Sequence, residues 1–216
     1  MDAEGKNLDP ARILARIDAE STKARTAMSP DIRLLYSLWG AMWVIGFLSF
    51  YAAFIPAGNP LISAWWALAI TVAALAAAIT ISTIHSVKRG SGTRGPSLVQ
   101  GAIFGNCFFL SFVLVGLLGW RLAAAGLDGP GLLSYAVAAC ALVVGALTVV
   151  GSLLWNDRSQ LIFGGWILVV GLISLALPAP HNLLAGALGG LGLVVLGMVH
   201  GRHPKLVSGV VVPSHG

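Results

Sequence analysis

The sequence predicts an all-α polytopic membrane protein, with six transmembrane helices that follow a cytoplasmic amphipathic helix. Only 10% of the 216 residues are charged and 57% are hydrophobic, whereas roughly 25% of residues are charged in soluble domains. The apolar residues form six runs of about 17 residues or more, the length that an α-helix needs to cross the hydrocarbon of a bilayer. Between positions 34 and 199 the only acidic residues are Asp128 and Asp157, and both lie between runs.

Positions 1–33 are expected to form a cytoplasmic N-terminal segment with one helix. Asp9 and Pro10 suit a helix cap and a first helical residue. Apolar residues then recur at helical spacing as far as Met28. The segment holds six basic and six acidic residues, whereas helices that bind membrane surfaces carry basic polar faces and large apolar residues. We therefore expect it to pack on the bundle, on a second copy or on a partner, or to lie loosely in water.

The six spans make up a transmembrane domain over positions 34–200, and positions 201–216 form a cytoplasmic tail. A Ser-Pro-Asp cap at 29–31 is expected to start the first span. The expected spans are 34–55, 61–84, 98–120, 131–155, 161–177 and 183–199.

The distribution of Lys and Arg predicts the orientation. Six lie before the first span, three in 86–97, one in 156–160 and two in the tail, whereas the other side has Arg121 alone. Because cytoplasmic loops carry an excess of Lys and Arg, both termini are expected to be cytoplasmic in an inner or plasma membrane. No cleavable signal peptide is expected, since the first 33 residues are charged throughout. The aromatic residues expected at the inner interface are Tyr36, Trp39, Trp155 and Trp166.

The connector between the second and third spans carries Lys88, Arg89 and Arg94, followed by Gly95 and Pro96 at the start of the next helix. Anionic lipid attracts basic residues near a membrane surface by about 1 kcal/mol each. We expect these cations to contact anionic lipid, or alternatively to serve only topology.

Several function classes are excluded by what the spans lack. No ionisable Lys, Arg, Asp or Glu lies inside a span, so a proton relay or an ion-coupling site in the membrane is not expected. The sequence has no phosphate-binding loop of the ATPase type and no His-Glu-x-x-His motif. The net charge of +5 follows from the topology rather than from a nucleic-acid surface. We expect neither an enzyme nor a cofactor.

Three histidines form the one possible metal set. His85, His200 and His203 all fall at the predicted cytoplasmic ends of the second and sixth spans. Three imidazoles can hold zinc, but histidines at an interface also keep a polar tip in headgroup water without any metal. No metal is expected, and a histidine-based membrane enzyme stays the least favoured alternative.

Glycine pairs at a spacing of four occur in the third span, at Gly101 and Gly105, and in the sixth, at Gly186 and Gly190. Small residues at this spacing let two helix backbones approach each other. Packing inside the bundle is the expected role, ahead of a functional hinge.

Uncharged polar residues supply the candidate ligand site. Asn106 is the most polar residue at membrane depth, and Ser111, Thr148 and Ser152 are its expected companions. The alternative is that the four residues join helices through hydrogen bonds, which are worth about 0.6 to 2 kcal/mol each in membranes.

These observations favour a transport-type component that passes or binds a neutral or amphipathic small molecule and uses no membrane carboxylate for ion coupling. The alternative is a non-catalytic anchor or regulatory subunit that binds a partner through its N-terminal helix. The expected partners are membrane lipid, including anionic lipid, and either a second copy of the chain or another membrane or cytosolic protein, with no nucleic acid.

Overall fold

The structure is a computed structural model that describes residues 12–17, 19–20, 31–55, 59–90 and 96–202. Its described residues are all-α, and six helices are long and apolar enough to cross a membrane, which confirms the predicted all-α fold with six candidate spans but not the N-terminal amphipathic helix. These helices are α1 (Ile32–Ala53), α2 (Ala64–Gly90), α3 (Pro96–Ala124), α4 (Gly129–Leu154), α5 (Arg158–Ala176) and α6 (Asn182–Arg202). Helix α2 extends six residues beyond the predicted end of its span at residue 84.

Aspartates start three of the six helices. Asp31, Asp128 and Asp157 are the N-cap residues of α1, α4 and α5. Their carboxylates accept backbone N–H groups over 3.2, 2.8 and 2.9 Å respectively. A cap of this kind satisfies one of the unpaired donors in the first turn. The two acids between positions 34 and 199 are therefore explained by helix initiation.

Two short connections depend on left-handed backbone. Gly126, between α3 and α4, has φ +93°, and Asn156, between α4 and α5, has φ 49°. Glycine adopts this conformation without steric cost, and asparagine tolerates it better than most other residues. The chain therefore reverses within four residues after α3 and three after α4.

Four helices form the packed centre. The most extensive contacts are those of α1 with α6 and of α4 with α5, and α6 also packs on α5 and, over a smaller area, on α4. The cluster of buried side chains takes residues from all four: Trp43, Ala141, Val144, Phe163, Ile167 and Leu193.

Helices α2 and α3 lie at the edge of the bundle. Among the described residues, α2 packs extensively only on α1, and α3 only on α4. No residue of the most apolar part of α3 is buried. Although the two helices follow each other in the chain, neither therefore covers the other.

The sixth helix contacts the first through its glycines, as predicted for Gly186 and Gly190. A Cβ on Gly186 would lie 2.7 Å from the Phe47 ring, and one on Gly190 would lie 2.7 Å from the carbonyl oxygen of Gly40. The matching prediction for the third span is wrong among the described residues. Gly101 and Gly105 have no heavy atom of a neighbouring described element within 4 Å of a Cβ position, because no other described helix lies on the glycine side of α3.

Residues 12–17 and 19–20 are helical and exposed. The rest of the predicted amphipathic helix, including Asp9, Pro10 and Met28, lies outside the described residues. So do Arg94, Gly95 and His203.

Candidate functional site

The two predicted ligand residues of α4 use their hydroxyls for hydrogen bonds within their own helix. Thr148 and Ser152 are buried. Their hydroxyls donate to the carbonyl oxygens of Val144 and Val149, each over 2.6 Å. Such bonds to the preceding helical turn satisfy a hydroxyl without any ligand or second helix.

The other two predicted residues lie on α3, and Asn106 does not join Thr148 and Ser152. Asn106 is exposed, and its Nδ2 donates to the carbonyl oxygen of Ala102 over 3.0 Å. Helical geometry places it roughly 160° to 200° around α3 from Phe104 and Phe108, the half-buried side chains on the side of α4. Ser111 is half-buried. The structure thus does not bring Asn106 to Thr148 and Ser152, and their ligand role stays a prediction.

The basic connector is described in part. Lys88 and Arg89 are exposed in the last turn of α2, where cations also complement the negative end of the helix dipole. Arg94 lies outside the described residues, and contact of this set with anionic lipid stays a prediction.

Two of the three predicted histidines, His85 and His200, are among the described residues. His85 on α2 accepts the backbone N–H of Asp31 at its Nε2 over 3.1 Å, and so holds α2 against the start of α1. The Nδ1 atom of His200 on α6 is buried and has no hydrogen-bond partner among the described residues. Within the described ranges, no group of three His, Cys, Asp or Glu residues is arranged to hold a metal ion.

A polar group that sequence patterns missed lies where α1 meets the start of α5. Ser159 is fully buried, and its hydroxyl donates to Asp157 over 2.8 Å. The same oxygen lies 3.1 Å from the Tyr36 hydroxyl and, with its own proton committed to Asp157, accepts the proton of Tyr36. Tyr36, Asp157 and Ser159 are called the hydroxyl cluster below. The sequence marked Tyr36 only as an interface aromatic, although a serine two residues after a capping aspartate was a usable signal.

An apolar groove begins beside the hydroxyl cluster. Phe163 packs on Tyr36 with ring centroids 5.4 Å apart, and it also lines a groove of about 270 Å³ between α5 and α6. The groove is open on one side and is lined by Ile162, Phe163, Trp166, Gly192, Val195, Leu196 and Val199. A nonpolar surface and a hydrogen-bonding group therefore meet at Phe163.

Trp166 forms one wall of the groove because of two glycines on α6. Its indole Nε1 donates to the carbonyl oxygen of Gly189 over 3.2 Å. The nearest atom to a Cβ on Gly192 would be the same Nε1, so only glycine leaves room for the indole here. Gly192 leaves space for the indole and the carbonyl oxygen of Gly189 accepts its N–H, so these two contacts position Trp166 in the groove wall.

The ends of α5 and α6 next to the groove carry positive charge. Arg158 is exposed four residues before Ile162, and Arg202 is exposed three residues after Val199. The carboxylate of Asp157 is already bonded to the backbone N–H and the hydroxyl of Ser159. An apolar groove with hydroxyls and cations at one end has the chemistry to hold a molecule with a nonpolar tail and a polar head.

The chain matches no protein-family model, no curated protein and no solved structure.

Proposed function

We propose that this protein is a transport-type membrane component that binds an amphipathic small molecule, with the nonpolar part in the α5–α6 groove and the polar part at the hydroxyl cluster. The observation that supports this most directly is the position of Phe163, which contacts Tyr36 and lines the groove. The lack of a carboxylate, Lys or Arg inside the spans argues that such a molecule is not moved by ion coupling through this chain.

The size and chemistry of the groove fit this class of ligand. Its lining is apolar or glycine throughout, and burial of a methylene group from water is worth about 0.8 kcal/mol. Bilayer lipid competes for the same surface, so a preference for one head group over another has to come from the polar end of the groove, where the Tyr36 oxygen can accept a hydrogen bond and Arg158 and Arg202 are exposed. We place the protein in an inner or plasma membrane with both termini cytoplasmic, from the twelve-to-one distribution of basic residues.

The test uses a photoreactive fatty acid in vesicles that contain the purified protein. We expect labelling on peptides of α5 and α6, and a clear decrease in Val195→Phe, which fills the groove. Leu191→Phe is the matched control, because Leu191 is equally half-exposed on α6 but does not line the groove. Equal labelling of both variants and the parent protein would show that the fatty acid does not bind in the groove.

A second candidate function is the anchor or regulatory subunit. Three large apolar side chains, Ile13, Leu14 and Ile17, are exposed on the helical residues 12–17. Such a surface suits contact with another helix. Capture of one defined protein that depends on these three residues, without any labelling of the groove, would favour this function.

A further inference from the structure

Helix α3 has an outer surface that nothing in the described chain covers. Of the described helices it packs extensively only on α4, through the side that carries Phe104 and Phe108. Six exposed residues recur on the opposite side at alternating spacings of four and three. They are Ala102, Asn106, Phe109, Val113, Gly116 and Trp120, called the α3 seam below.

This spacing follows one line along the helix surface, as in two helices that pack with a heptad pattern. Because no residue in the most apolar part of α3 is buried, Asn106 rather than the spacing singles out this line. Phe109 and Trp120 are about two-thirds exposed, at 65% and 66%. Gly116 has no heavy atom within 4 Å of a Cβ position, so it leaves a notch between these aromatic side chains. Large side chains that alternate with notches are the surface features of interlocking helices.

Asn106 distinguishes this surface from one that faces only lipid. It lies ten residues into α3, roughly 15 Å along the axis at about 1.5 Å per residue, and so near the centre of a hydrocarbon layer about 30 Å thick. Its amide nitrogen bonds to Ala102, but its side-chain oxygen has no partner among the described residues. Lipid tails offer no donor to such an oxygen.

We propose that the α3 seam is the contact between two copies of this chain in the membrane. All copies insert with the same orientation, so a two-fold axis that relates them runs along the membrane normal. The two α3 helices are then parallel and in register, and each seam residue meets its own counterpart. An amide has both a donor and an acceptor, so each Asn106 bonds to the oxygen of the other.

A single asparagine at an inward heptad position is a known means of setting the register of two parallel helices. The seam carries no charge, so it offers nothing to a charged partner segment. The contact does not depend on the proposed ligand groove, since α3 contributes no residue to that groove.

The test compares neighbouring positions on one helix. Cys107 and Cys140 are first replaced by Ser, and Val113→Cys and Leu114→Cys are then made separately. Both parent side chains are exposed and lie at almost the same depth, but Leu114 is outside the seam. Purified protein in vesicles under mild oxidation should form a disulfide-linked dimer through position 113, with only background dimer through position 114.

A third variant tests Asn106 itself. Asn106→Leu, added to Val113→Cys, should weaken self-association by about three- to thirty-fold, the change expected for one interhelical hydrogen bond. In the proteins that keep Asn106, equal dimer yields at positions 113 and 114, or no dimer at either position, would overturn the proposal. So would cross-linking of position 113 only to a different protein in native membranes.

Discussion

Gly40 and Gly190 lie against each other, so that a Cβ on either would come within 2.6 to 2.7 Å of the other's carbonyl oxygen. The contact joins α1 to α6, the pair of helices with the most extensive packing. Both obstructing atoms belong to the backbone, and a helix backbone cannot move aside as a side chain can. Close approach of the first and last spans therefore depends on glycine at both positions.

Gly190→Ala should lower the free energy of unfolding by about 1–3 kcal/mol, the usual cost of an overpacked interior. Thermal unfolding in mild detergent measures it. Gly165→Ala is the control, because Gly165 lies in α5 with no atom within 4 Å of its Cβ position. Alanine favours helix over glycine by about 1 kcal/mol, so the control should be neutral or stabilised. Similar losses in both variants would contradict the packing role.

Tyr36→Phe should lower stability by about 0.6 to 2 kcal/mol, because it removes one hydrogen bond between helices. The ring remains and keeps its contact with Phe163, so only the bond to Ser159 is lost. Tyr51→Phe is the comparison, since Tyr51 contacts His181 through its ring and its hydroxyl makes no hydrogen bond to the described residues. If the two variants unfold at the same temperature, the hydroxyl cluster does not join α1 to α5.

The sequence predicts the fold of this protein better than it predicts the candidate site. Six spans follow from hydropathy because each must hide its backbone from lipid, a requirement that acts on each helix alone. The groove depends on which faces of α5 and α6 meet, and nearly every residue on both helices is apolar or small. Their pattern therefore does not distinguish the face with Trp166 from any other.

The sequence also predicts only part of the position of Asn106. Its depth in the membrane follows from its position in the third span, but its direction depends on which helix α3 packs against. Two of the three hydroxyls expected beside it, those of Thr148 and Ser152, are bonded within α4, since a serine or threonine can bond its own helix without a partner. Sequence patterns also gave no role to Asn182, which is fully buried and donates to Ser134 over 3.3 Å.

The predicted orientation has a direct test with single cysteines. In a background without native cysteines, Ala125→Cys and His181→Cys should react with an impermeant thiol reagent added to intact cells. Ser86→Cys should react only after the cells are opened. All three positions are exposed, so accessibility within the protein does not decide the result. Labelling at position 86 in intact cells would reverse the orientation.

Deletion of residues 1–28 separates the two proposed functions. The truncated chain keeps Asp31 as the cap of α1 and keeps the bond from the Asp31 N–H to His85. Arg33, Lys88, Arg89 and Arg94 remain to orient the bundle. The protein should therefore insert normally and unfold within a few degrees of the full-length chain.

Under the transport-type proposal, photolabelling of the groove should persist in this truncated protein, because the described lining of the groove comes from α5 and α6 alone. Under the anchor alternative, any protein captured by the full-length chain should no longer be captured. Co-purification and photolabelling of the same two samples measure both outcomes. If the truncated chain inserts normally but loses labelling and keeps every captured protein, the N-terminal segment supports the groove, and the anchor alternative is wrong.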